Sequence, residues 1–110
     1  MMTKHNYLNG KAMQYINQLV PGMSDALRAG IFTRTPIHFY GPGLGKSTLC
    51  KALQEIGVSN VSEAGECGAM CGCWSVPDKF SGLLVRFDVK SIPDDAPALE
   101  DLPELLRHWI

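Results

Sequence analysis

The sequence predicts an α/β domain built on a short parallel sheet, with helices on both faces. Three observations predict it. Ile37-His38-Phe39-Tyr40 and Leu83-Leu84-Val85-Arg86-Phe87-Asp88-Val89 are apolar runs of strand length. Apolar residues recur at helical spacing in two other stretches, Ala12, Met13, Ile16, Leu19, Val20 and Leu49, Ala52, Leu53, Ile56. A glycine-rich turn, residues 41–45, joins the first run to the second periodic stretch. Strand patterns that alternate with helix patterns call for parallel strands joined by helical crossovers.

The chain has 110 residues and 45% hydrophobic composition, enough for one small folded domain. Its net charge of −1 gives no global basic field to announce nucleic acid. No apolar run reaches the roughly 20 residues that span a bilayer. Met1-Met2-Thr3-Lys4-His5-Asn6 lacks the apolar stretch of a secretory signal. Four cysteines beside the glycine-rich turn fit a reducing interior better than a disulfide scaffold, so an intracellular location is expected. The chain divides into an N-terminal helical segment, 1–35, and a sheet-containing domain, 36–110.

In order, a first helix is expected from Lys11 to Val20, stopped by Pro21-Gly22. Ser24 is placed to cap a second helix through Ala29, with Gly30 at its end. Thr33-Arg34-Thr35-Pro36 links into the first strand, where His38 reads as a hydrogen-bonded structural histidine. The helix after the turn runs from Lys46 to Ile56 and ends at Gly57, and Val58-Ser59-Asn60-Val61 forms a second short strand. Ser81-Gly82 leads into the third strand, 83–89. Residues 92–97 are turn-rich, and Asp101 with Glu104 resembles a capping box opening a last helix that carries Leu102, Leu105, Leu106 and Trp109. An exposed Trp109-Ile110 end would mark a contact surface.

The turn carries the chemistry. Tyr40-Gly41-Pro42-Gly43-Leu44-Gly45-Lys46-Ser47-Thr48 reads as a phosphate-binding loop between a strand and a helix. Glycines let successive backbone N–H groups approach phosphate oxygens, and the helix dipole favours the same anion. Gly41, Gly43, Leu44, Gly45, Lys46, Ser47 and Thr48 would contact the nucleotide, Lys46 as the catalytic cation on the outer phosphates and Ser47 as a hydroxyl on magnesium. Gly41 and Gly45 enclose three residues where four are usual, while Gly45-Lys46-Ser47 is intact.

Asp88 ends the third strand, 88 − 46 = 42 residues beyond Lys46, which leaves room for a helix, a strand and a loop. It is read as the catalytic acid that holds magnesium with Ser47. Its neighbours Phe87 and Val89 are both apolar, so a water-orienting base must come from elsewhere; Glu63 and Glu66 are the substitutes at hand. Cys67, Cys71 and Cys73 could ligate zinc with Cys50 or a histidine as fourth ligand. They do not form the paired Cys-x-x-Cys knuckles, and reduced thiols in a glycine-rich loop are the preferred reading.

Phe39-Tyr40-Gly41-Pro42-Gly43-Leu44-Gly45-Lys46-Ser47-Thr48-Leu49 resembles the phosphate loop of the superfamily 3 helicases of small DNA viruses and their replication-initiator relatives. Leu84-Val85-Arg86-Phe87-Asp88-Val89-Lys90 is similar to the acidic strand of the polyomavirus large-T type. The resemblance covers roughly residues 11–110, with its specific features in those two motifs. It implies a three-layer P-loop NTPase-like fold or a truncated ATPase core. It also implies an oligomeric ATPase that uses ATP and Mg2+ to move single-stranded DNA in viral replication, in the host nucleus or cytoplasm. Two other readings stand beside it: a small phosphate-loop nucleotide-binding or kinase-like enzyme, and a non-catalytic module that binds and regulates a larger ATPase.

Overall fold

The structure is a computed structural model that describes residues 4–63, 76 and 78–110. In chain order it contains α1 (Lys4–Leu19), α2 (Met23–Phe32), β1 (Ile37–Tyr40), α3 (Lys46–Glu55), β2 (Val61–Glu63), β3 (Leu83–Arg86), a 3-10 turn (Leu99–Asp101) and α4 (Leu102–Trp109). The strands form one parallel sheet in the order β2-β1-β3, with β1 in the centre. Among the described residues, no helix is long and apolar enough to cross a membrane.

Register sorts the side chains. Ile37 pairs with Val61 and Leu83, and Phe39 with Glu63 and Val85. In parallel strands paired positions share a face, so the odd-numbered residues 37, 39, 61, 83 and 85 face one way. These supply the sheet's part of the buried core, with Phe87 just beyond β3. Phe39 and Phe87 meet edge to face at 5.3 Å, an arrangement worth about 1 kcal/mol beyond burial alone. Ala12, Ile16, Leu27, Leu49, Leu53, Leu106 and Trp109 bring the helices onto the same cluster. The other face carries His38, Ser62, Leu84 and Arg86, of which the last three are exposed. The expected helical cover is therefore seen on one face among the described residues. Helices α1 and α2 share one core with the sheet and α4, because α1 packs along α4 and α2 against β1.

Several boundaries differ from expectation, each for a local reason. Helix α1 begins at Lys4 and passes through Gly10, since Leu8 already packs against the core and Asn9 accepts a hydrogen bond from Arg28. Gly22, not Ser24, precedes α2; it takes the left-handed conformation, and buried Ser24 instead gives its amide to Asn17 Oδ1. Helix α2 runs past Gly30 to Phe32.

Helix α3 does end at Gly57. The Gly57 amide reaches the Gln54 carbonyl and the Val58 amide the Leu53 carbonyl, the paired bonds of a Schellman closure. Val58 is thereby spent on the helix end, and β2 starts at Val61 rather than at Val58. Strand β3 stops at Arg86, because the next carbonyls turn toward the glycine-rich loop. Asp101 makes no side-chain cap bond, and Glu104 lies 4.0 Å from His108 one turn on.

Trp109 is buried, so Ile110 alone of the terminal pair is exposed. The Arg28 guanidinium sits 5.0 Å from the Trp109 ring centre and donates to Asn9 Oδ1 and to the Trp109 carbonyl. It thus ties α2 to α1 and meets the negative end of α4. Arg28→Ala is expected to lower unfolding free energy by about 2 kcal/mol in urea titrations, the scale of charge-assisted hydrogen bonds lost from a part-buried site. Arg28→Lys should recover only part of it, because a single ammonium cannot reproduce the fork.

Candidate functional site

Central strands of parallel sheets place ligands at their C-terminal ends. Here Tyr40 ends β1, residues 41–45 form the turn, and α3 starts at Lys46. The turn lies directly on the segment that follows β3. A Cβ on Gly41 would sit 2.5 Å from the Phe87 carbonyl oxygen, and one on Gly43 would sit 2.6 Å from the Val89 nitrogen. Real Cβ atoms do not approach so closely, and Gly41 also has φ +102°. Both glycines are therefore required by backbone-to-backbone packing.

The same packing fixes two of the amides expected to face an anion. Gly43 N–H donates to the Phe87 carbonyl at 3.0 Å, and Leu44 N–H to the Val89 carbonyl at 2.7 Å. The Phe87 amide in turn donates to the Tyr40 carbonyl at 2.8 Å.

At the start of α3, Lys46 is only 2% exposed and Ser47 is exposed. Ser47 Oγ donates to Glu63 Oε2 at 2.6 Å, a short bond of the charge-assisted kind. Glu63 ends β2 and stands opposite Phe39, hence on the α3 side of the sheet. Thr48 is half-buried and lines a cavity of about 220 Å³ with Ser47, Lys51 and Pro103.

Asp88 is placed differently. Its carboxylate pairs with Arg86 Nε at 2.9 Å, and both side chains are more than half exposed. They border a cleft of about 540 Å³ whose other walls are Pro42, Gly43, Leu44, Val89 and Lys90. The structure thus gathers Lys46, Ser47 and Glu63 at one end of α3 and sets Asp88 beside the turn with Arg86. Glu66, Cys67, Cys71 and Cys73 lie outside the described residues.

Glu63 is the residue whose place the sequence did not disclose. It was a candidate base, and its contact is with the hydroxyl expected to bind magnesium. Strand parity holds the signal: Val61 is buried, so Glu63, two residues on, shares its face. Among the described residues, no three His, Cys, Asp or Glu side chains cluster to hold a metal by themselves. A serine hydroxyl with one carboxylate suits magnesium, which takes its remaining ligands from phosphates and water.

Two buried groups register the electrostatics. His38 Nδ1 lies 2.9 Å from Ser62 Oγ, and its ring is 5.3 Å from Phe80, the hydrogen-bonded structural role expected of it. Burial holds its pKa below 6.5, and the Lys46 charge pushes the same way. Cys50 is buried on α3; burial, then the Glu63 carboxylate, raises its thiol to about 11 against a smaller opposing effect of Lys51.

Two outcomes follow from these groups. A histidine whose folded pKa is lowered leaves the unfolded chain binding more protons, so its contribution is complete above 6.5 and fades as pH falls toward the folded value. The melting temperature should drop as pH falls below 6.5, and His38→Gln should flatten that slope in thermal scans. The Cys50 thiol should resist iodoacetamide at pH near 8 in the native chain and react once urea is added, as read by peptide mass mapping.

Comparison of the chain with protein-family models, with curated proteins and with solved structures finds no match.

Proposed function

We propose that the chain binds a nucleoside triphosphate with magnesium at the start of α3, as the ATP-binding part of a superfamily 3 helicase-like ATPase in DNA replication. The observation that carries the nucleotide part is the 2.6 Å bond between Ser47 and Glu63, beside Lys46 and on a helix N-terminus. A hydroxyl bonded to a carboxylate at the end of a neighbouring parallel strand is a pair that magnesium can enter. Lys46 and the first amides of α3 supply positive charge for the phosphates. In this reading Glu63 takes the magnesium role and Asp88, paired with Arg86, sits outside the metal site.

The replication part rests on the two motifs, 39–49 and 84–90. The chemistry required of the chain is placement: α3 orients the phosphates, and Lys46 compensates charge that builds on the transferred group. One observation favours a second reading, a module that holds nucleotide and regulates a larger ATPase. The Gly43 and Leu44 amides are already engaged by protein carbonyls, which suits slow exchange or no turnover.

A fluorescent ATP analogue, titrated with and without magnesium, separates these readings. Wild type should bind in a magnesium-dependent way. Lys46→Ala should weaken binding by about 10- to 100-fold, as expected for loss of a charge-assisted contact. Glu63→Gln should remove the magnesium dependence, and Asp88→Asn should leave both affinity and magnesium dependence intact. Equal binding by all four proteins refutes the site. ATP turnover stimulated by single-stranded DNA, in an oligomer, supports the helicase reading; magnesium-dependent binding without turnover supports the regulatory one.

A further inference from the structure

We propose that the segment from Phe87 to Ile92 is an internal plug of the glycine-rich loop, and that a polyphosphate docks only when this arm withdraws. The proposal rests on the nucleotide reading of the loop and adds a gate to it.

The arm follows the loop residue by residue. The Phe87 carbonyl lies against Gly41 and accepts the Gly43 amide; Val89 lies against Gly43 and accepts the Leu44 amide; the Ile92 side chain lies over Gly45. An N–H has one proton to give. At 3.0 and 2.7 Å these two are given to carbonyls, and a phosphate oxygen at either amide must displace the carbonyl that holds it. The carbonyls are themselves partial negative charges, so the arm occupies the loop much as an anion would.

The arm is anchored at one end and light at the other. Strand pairing with β1 stops at Arg86, and the Phe87 ring is fully buried against Phe39. Beyond it, Asp88, Lys90, Ser91 and Ile92 are exposed, and only Val89 keeps a half-buried side chain against the core. The Arg86–Asp88 pair that flanks the hinge is exposed on both sides and holds it weakly. The Phe87 ring is thus a fixed pivot, and the Phe87 carbonyl with residues 88–92 is the part free to lift. A closed arm reduces apparent affinity by the fraction of molecules that are open.

The test uses the full chain and a non-hydrolysable ATP analogue with magnesium. Trypsin cleavage after Lys90, followed by mass spectrometry, should quicken when the analogue binds, whereas a ligand that merely tightens the fold slows it. In parallel, Val89→Gly removes the arm's remaining apolar anchor and should bind the analogue several-fold more tightly than wild type; adding Lys46→Ala should abolish that gain. If wild type binds through Lys46 while cleavage after Lys90 is unchanged or slowed, the plug is overturned and the nucleotide site stands. The plug is equally overturned if a folded Val89→Gly protein gains no affinity. Should neither wild type nor Val89→Gly bind, the nucleotide reading falls and the gate with it.

Discussion

The fold turns on two backbones that touch. The glycine-rich turn after β1 and the chain leaving β3 approach within hydrogen-bond distance, with no side chain between them at Gly41 or Gly43. That contact extends the β1–β3 pairing past the last regular residue and brings Phe87 over Phe39, the aromatic pair at the centre of the core. Packing of α1 and α3 then fills the space beneath. The glycines serve structure first; whatever chemistry the turn performs has to be compatible with that closeness.

Much of this could be read from the residues. The runs at 37–40 and 83–89 and the helix from Lys46 announced their type by periodicity, and Gly57 announced where α3 ends. Three parallel strands followed. The departures share a cause: a backbone group found a partner that one-dimensional patterning does not display. Val58 closes a helix instead of opening a strand, and the carbonyls of Phe87 and Val89 serve a turn instead of a sheet edge. The helix expected from Lys11 starts earlier, because Leu8 and Asn9 have tertiary partners ahead of Gly10. Tertiary contact outweighs the modest helix cost of one glycine.

The place of the Gly45-Lys46-Ser47 group was legible in the sequence, whereas the partners of the acidic residues were not. Gly45-Lys46-Ser47 sits at a helix start in sequence and in space. Asp88 is the acid that spacing suggests, and in the structure it pairs with Arg86 at the cleft beside the turn. Glu63 reached Ser47 through strand pairing, a relation between residues distant in sequence. Its charge is felt inside α3 as well, where it helps keep the Cys50 thiol protonated. Lys46 acts similarly across the sheet on His38.

The tight exit of α3 works as a ruler. Gly57 and Val58 end the helix at a fixed point, and the stretch from there to Val61 measures out which side of the pleat each later residue takes. Because side chains alternate along a strand, the count is binary. A one-residue slip of the β2 register would present Ser62 to α3 and turn Glu63 outward, breaking the Ser47–Glu63 bond although every residue of the motif were still there. The contact between Ser47 and Glu63 is therefore encoded in strand register as much as in residue type.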